Sequence, residues 1–256
     1  MQRLIVANWK MHGTQAEGAA LAARVATDLR PAPPGVDVVL CPPFTALDRV
    51  ASALAASGLR LGAQDVFWED RGAFTGEVAP PMLTALGCTH AIVGHSERRA
   101  HLGETDAGVA RKLDACWRHG LTPILCVGET AAERAAGQTE ARLHAQVAAA
   151  LEGRKCPKPL AVAYEPVWAI GGGRAAAPAD CAAGLAVIRG VLAEMWAECA
   201  DDVACLYGGS VNAENCRAFW EEGAADGSLV GGASLDPAAF VSICRQASLE
   251  GRAWSR

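Results

Sequence analysis

Short, largely apolar runs recur along the chain, at residues 4–9, 36–41, 59–63, 91–93, 123–127, 160–163, 204–207 and 228–230. They do not alternate apolar with polar positions, which is the pattern of strands buried on both faces. Between them lie Ala-, Leu- and Arg-rich segments, at 17–29, 107–117, 140–151 and 181–198, with apolar residues at helical spacing and a composition that favours helix. Eight strands alternating with helices predict parallel βαβ units. A doubly wound open sheet would give a similar string, and the polar residues separate the two. Lys10, His95, Glu165 and Ser210 each fall just past the C-terminal end of a predicted strand. A closed barrel gathers all such ends around one mouth. The expectation is therefore an α/β chain folded as one domain over residues 1–256, a single (β/α)8 barrel. The stretch Arg30-Pro31-Ala32-Pro33-Pro34-Gly35 reads as a helix stop before the second strand rather than a linker.

Composition narrows the function. Half the residues are hydrophobic and a fifth charged, ordinary for a globular protein. The net charge of −5 offers nothing to nucleic acid or to an anionic membrane. An anionic substrate would have to be met by local cations and backbone N–H groups. The ten cysteines form no C-x-x-C pair and none stands beside a His at metal-ligand spacing. They are expected to be reduced core residues of a cytoplasmic protein. Met1-Gln2-Arg3 leads directly into the first strand-like run, which is too short for the apolar region of a secretory signal, and no stretch is long enough to span a bilayer.

The chemistry centres on residues 160–178, LAVAYEPVWAIGGGRAAAP. A buried strand ends at Tyr164-Glu165, and Pro166 stops the ladder. The apolar tip Val167-Trp168-Ala169-Ile170 and three glycines then make a hinged lid over the carboxylate, able to exclude water and raise its basicity. Asn8 and Lys10, two residues apart at the end of the first strand, share a face and aim an amide and an ammonium into the mouth. His95 precedes Ser96, a candidate N-cap, so the imidazole lies at the positive end of a helix, where its neutral form is favoured. Tyr207-Gly208-Gly209-Ser210 and Gly231-Gly232-Ala233-Ser234 put small residues at the last two strand ends, where N–H groups and a short helix starting after Gly232 can approach a phosphate.

These blocks resemble the triosephosphate isomerase family. NWKM, AQD, FTGE, VGHSERR, CVGET, YEPVWAIG, YGGSV and LVGGASL follow one another in order over essentially the whole chain. The resemblance implies a TIM barrel that interconverts dihydroxyacetone phosphate and D-glyceraldehyde 3-phosphate. Glu165 would be the base, His95 the electrophile, and Lys10 with Asn8 would stabilise the enediolate. Gly171, Ser210, Gly231 and Gly232 would hold the phosphate, with Glu97, Thr75 and Tyr207 in support and Tyr207 and Ser210 latching the lid near Ala176. No metal or organic cofactor is implied, because the reaction is redox-neutral. The loop 64–79, which carries Phe67, Trp68 and Phe74, either folds back on its own barrel or, as the resemblance implies, enters a second subunit of a homodimer and brings Thr75 to the partner's site. Isomerisation of a four-carbon sugar phosphate on the same scaffold, and a non-catalytic barrel used for binding, remain as alternatives. Three departures from the family pattern stand out. His12 and Asp65 replace expected asparagines and are expected to lie near each other, and Gly172-Gly173-Arg174 replaces Thr-Gly-Lys at the lid's far hinge.

Overall fold

The computed structural model describes residues 2–156, 159–170 and 175–248. Strands β1 (Arg3–Asn8), β2 (Val36–Cys41), β3 (Arg60–Ala63), β4 (Cys88–Val93), β5 (Thr122–Val127), β6 (Ala161–Tyr164), β7 (Ala204–Tyr207) and β8 (Gly227–Val230) pair in parallel in sequence order. β8 returns to pair with β1, so the sheet closes into a barrel. Helices α1 (Gln15–Asp28), α2 (Leu47–Leu54), α3 (Pro80–Ala85), α4 (Ser96–Leu102) and α5 (Asp106–Arg118) cover its first half. α6 (Ala131–Ala135), α7 (Thr139–Leu151), α8 (Pro178–Met195), α9 (Cys216–Glu221) and α10 (Pro237–Gln246) cover the second. Every strand predicted from the apolar runs is present. β4 begins earlier than its apolar run, at Cys88, because the ladder with β3 already pairs Leu61 with Cys88 and Gly62 with His90.

Strand parity explains how the barrel is filled and how the mouth is furnished. Leu4, Val6, Val39, Cys41, Ile92, Ile124, Cys126, Ala161, Ala163, Leu206 and Leu229 form the interior cluster, while the alternate residues pack outward against the helices. Gly62 belongs to the inward series, since a Cβ there would come within 2.6 Å of Cys41 Sγ. Counting on by two from Leu4 and Val6 reaches Asn8, and from Ala161 and Ala163 reaches Glu165. The inward face of the strands thus turns from packing to chemistry at their C-terminal ends.

His90 continues the inward face below Ile92 and is 5% exposed. Burial, opposed by Asp37 and assisted by Arg60, lowers its pKa to about 4. Between the unfolded value near 6.5 and about 4, the unfolded chain binds a proton that the folded chain refuses. Stability therefore falls as pH drops through that window, by roughly 2–3 kcal/mol in total. Denaturant titrations from pH 7 to 4 should show the parent losing about one proton's worth of slope more than His90→Gln. Parallel curves would exclude His90 as the source.

Two sequence expectations need correction. Cys156 and Cys199 are joined in a disulfide, whereas Cys41, Cys88, Cys116, Cys126, Cys181, Cys205, Cys216 and Cys244 are unpaired and buried as expected. The bonded pair lies outside the strands, after α7 and after α8, where two loops bring the Cα atoms to 6.5 Å, within disulfide reach. His12 and Asp65 do not pair: no hydrogen bond or ion pair joins them among the described residues. The Asp65 carboxylate is instead held by Lys112 Nζ at 2.6 Å and Arg98 Nη2 at 2.9 Å. Among the described residues no helix is long and apolar enough to cross a membrane.

Candidate active site

Asn8, Lys10, His95, Glu165, Ser210, Gly231 and Gly232 line one cavity at the C-terminal mouth, about 460 Å³ in volume. The ends of β1, β4, β6, β7 and β8 supply them, so the barrel brings together residues more than 200 positions apart. Gly171, the remaining expected phosphate contact, and the hinge residues Gly172, Gly173 and Arg174 lie outside the described residues. Thr75 does not line this cavity. It lies exposed on the loop 64–79, which is drawn together by Phe67 N–H donating to the Val78 carbonyl and by Phe67 stacking 4.1 Å from Trp68.

Lys10 has a left-handed backbone, φ 52°, unusual for a residue with a Cβ. Two side-chain contacts hold it. Asn8 Oδ1 accepts the Lys10 N–H at 3.0 Å, and Gln64 Nε2 donates to both the Lys10 and the Cys41 carbonyls at 2.9 Å. This turn sends the ammonium across the mouth to Glu97 Oε1, 2.6 Å away. Gly231 lies beneath the Lys10 stem, and a Cβ there would meet Lys10 Cε at 3.3 Å.

The helix start after β4 differs from the sequence expectation. The cap of α4 is His95, not Ser96: His95 Nδ1 accepts the Glu97 N–H at 3.2 Å. An acceptor at Nδ1 leaves the neutral ring's proton on Nε2, which faces Glu165 Oε1 at 2.9 Å. Ser96, freed from capping, donates its N–H to Glu165 Oε2 at 2.9 Å. Burial alone would depress His95, but the Glu165 charge and hydrogen bond, with Glu97, outweigh it and hold His95 above its ordinary value. Burial alone would likewise raise Glu165, but His95 and the Ser96 N–H outweigh it and hold the carboxyl below its ordinary value. The expected rise in basicity is therefore absent in this resting arrangement, because a charge and two donors surround the carboxylate.

The lid's near half is fastened at three points. Trp168 Nε1 donates to Glu129 Oε1 at 2.7 Å, and Arg134 stacks over the same indole, its Cζ 3.9 Å from the ring centre. Ser210 Oγ donates to the Ala169 carbonyl at 2.7 Å. Beyond the hinge, the Ala176 N–H donates to Tyr207 Oη at 3.3 Å. Tyr207 thus meets Ala176 as expected, whereas Ser210 grips the lid at Ala169. After β8, the short helix anticipated after Gly232 is present as a four-residue 3-10 helix over Gly232–Leu235.

Sequence reading missed Ser96, Gln64, Glu129 and Gln146. Glu129 carried a usable signal, being a carboxylate just past β5, and it also accepts from Tyr164 Oη at 3.1 Å. Ser96 acts through its backbone N–H, and Gln64 and Gln146 through contacts to backbone, for which a residue's type gives no warning.

Known proteins agree with this geometry. The model of the triosephosphate isomerase family matches residues 3–247. A triosephosphate isomerase of Moorella thermoacetica is 50% identical over 248 residues, covering 95% of this chain and 98% of that protein. One of Thiobacillus denitrificans is 49% identical over 251 residues, covering 96% and 99%. The crystal structure of triosephosphate isomerase from Bartonella henselae superposes with a TM-score of 0.86 at 34% identity, covering 95% of this chain and 98% of that one. With the family model spanning the barrel from β1 to α10, this chain belongs to the triosephosphate isomerase family.

Proposed function

We propose that this chain interconverts dihydroxyacetone phosphate and D-glyceraldehyde 3-phosphate through an enediolate, with Glu165 as general base and His95 as electrophile. The observation that carries the reading is one cavity joining the Glu165 carboxylate, the His95 imidazole and the Lys10 ammonium to the glycines of β7 and β8. A carboxylate, a proton donor and a cation opposite a phosphate cradle are what enolisation beside a carbonyl requires.

In the forward direction the N–H groups of Gly231 and Gly232, the Ser210 turn and Gly171 hold the phosphate. Glu165 leaves the Ser96 N–H and the His95 Nε2–H and takes a proton from substrate carbon. In leaving, it sheds the contacts that kept its pKa low, so burial is left to raise its basicity at the moment of abstraction. His95 loses the carboxylate that raised its own value, and burial and the Glu97 N–H then favour the neutral ring. Its Nε2–H donates to the carbonyl oxygen, while Lys10 and Asn8 stabilise the negative charge that develops there. Returning the proton to the neighbouring carbon completes the isomerisation.

A coupled assay with D-glyceraldehyde 3-phosphate and its four-carbon homologue tests this reading. The larger kcat/KM belongs to the triose phosphate, and the reverse order would transfer the proposal to the longer sugar. The latch offers a second check. Tyr207→Phe leaves the Ala176 N–H without its acceptor, at a cost of about 0.5–1.5 kcal/mol. A fall in kcat/KM of roughly twofold to tenfold is expected, whereas an unchanged value would mean that this bond does not govern closure.

We further propose a homodimer joined through residues 64–79, acting in the cytoplasm. Met11, Phe74 and Met82 are 95%, 43% and 55% exposed, a set of large apolar side chains that a partner would cover. Thr75, exposed on that loop, would then complete the partner's site. Sedimentation of a monomer at micromolar concentration would overturn the dimer.

A further inference from the structure

The mechanism uses one side of Glu165, but a second cavity of about 210 Å³ lies against its other side. Cys126, Gly128, Arg99, Arg142 and Gln146 are among its lining residues, and Glu165 also lines the catalytic mouth, so it stands between the two spaces. The wall between them is held by backbone. Glu165 N–H donates to the Val127 carbonyl at 2.7 Å, and Val167 N–H to the Glu129 carbonyl at 3.1 Å. Between those two bonds stands Gly128, packed so tightly that a Cβ would overlap the Glu165 carbonyl oxygen. Its N–H has no strand partner to accept it, because β5 ends at Val127. The acceptor comes from α7: Gln146 Oε1 takes the Gly128 N–H at 2.8 Å. The Gln146 side chain is an amide placed on a helix face that otherwise packs Leu143, Val147 and Ala150 against the barrel, and it is 1% exposed.

We propose that Gln146 is a positioning residue for the reaction: by accepting the Gly128 N–H it fixes the backbone against which Glu165 is seated. This rests on the reading of Glu165 as the base. Glu165 must move between Ser96 and the substrate, a swing whose end point is set by its own Cα. Gly128 abuts that residue's carbonyl directly, so any displacement of Gly128 is passed to Glu165 without an intervening side chain. The Gly128 N–H is part-buried, and without its acceptor it will turn towards another oxygen, which drives such a displacement. A misplacement of the order of 1 Å in a reacting group costs up to about a hundredfold in rate. The phosphate cradle on β7 and β8 shares no hydrogen bond with Gln146 among the described residues, so phosphate binding is expected to change less than kcat.

Gln146→Leu removes the acceptor at nearly constant volume, and Gln146→Glu keeps an acceptor oxygen at the same reach, its added charge facing Arg99 and Arg142. The expected result is a fall in kcat of roughly tenfold for the leucine variant, with KM and the inhibition constant of inorganic phosphate within about twofold of the parent. The glutamate variant should return kcat to within about threefold. A leucine variant with parental kcat overturns the proposal. So does a loss shared equally by kcat, KM and phosphate inhibition, which marks general distortion, and so does a glutamate variant as impaired as the leucine one. If Gln146→Leu does not fold, Gln146→Asn replaces it, keeping the amide but withdrawing the oxygen from Gly128 by one methylene. Glu165→Gln measured alongside keeps the two readings apart. An active Glu165→Gln removes the base itself, whereas an inactive Glu165→Gln with a normal Gln146→Leu removes only the positioning role.

Discussion

Glu165→Gln should fold like the parent and lose roughly 10²–10⁴-fold in kcat/KM, with KM little changed. The amide matches the carboxylate in shape, and its oxygen can still accept the Ser96 N–H that holds Oε2 at 2.9 Å. What it cannot do is carry a proton between two carbons. Its NH₂ group would also face His95 Nε2 where a carboxylate oxygen now stands at 2.9 Å, so the pair loses its charge attraction. Because His95 and the Ser96 N–H outweigh burial at Glu165, removing its charge forfeits a net favourable interaction, so the variant is expected to be somewhat less stable than the parent while keeping its fold. The decisive readings are kcat in the coupled assay and the uptake of solvent deuterium into recovered substrate, which should fall together. A folded variant with near-normal kcat and exchange would take Glu165 out of the mechanism.

That the base could be found in the sequence follows from barrel geometry. Inward parity along Ala161, Ala163 and Glu165, and along Leu4, Val6, Asn8 and Lys10, is a period-two pattern that any reader of the chain can count, and folding preserves it. His95 was legible for a related reason, because a helix start fixes what lies at its positive end whether the cap is residue 95 or 96. The groups that tune these three residues were not legible. Ser96 contributes a backbone N–H, and Gln64 reaches a carbonyl 54 positions away. The lowered pKa of Glu165 depends on the His95 side chain and the Ser96 N–H that meet it in space, on which composition is silent. The Cys156–Cys199 bond escaped because spacing along the chain says nothing about two loops that meet beneath the barrel.

Asp65 illustrates the same limit with a larger energetic consequence. As a departure from the family pattern, Asp65 is expected from the sequence to lie near His12. Its actual partners are on helices. Lys112 Nζ bonds both Asp65 Oδ1, at 2.6 Å, and Glu104, while Arg98 bonds Asp65 Oδ2 at 2.9 Å and approaches Glu104 at 3.3 Å. Two cations and two carboxylates therefore form a closed ring, and the side chains of Asp65, Glu104 and Lys112 are 6%, 5% and 4% exposed. With an asparagine at 65 the ring would hold one surplus positive charge, so the aspartate balances it. Burial still wins over Lys112 at Asp65, whose pKa stands above its ordinary value. Such a ring adds little net stability when complete, but breaking it leaves a buried charge unanswered.

Lys112→Met is accordingly expected to cost about 3–5 kcal/mol, among the largest losses available to a single substitution outside the mouth. Methionine fills most of the lysine stem's space, so the loss comes from the two carboxylates that then face each other with Arg98 alone between them. The sign of the pH dependence follows. Without Lys112 the Asp65 pKa rises further above its unfolded value, and the folded state binds a proton that the unfolded state does not. The variant's deficit should therefore shrink as pH falls through that raised value and be fully present above it. Asp65→Asn in the Lys112→Met background should recover stability for the same reason, although each substitution alone destabilises. Denaturant unfolding of the parent, both single variants and the double variant measures this as a coupling energy. Additive losses, or a Lys112→Met deficit that does not vary with pH, would mean that the ring is not acting as one charge-balanced unit.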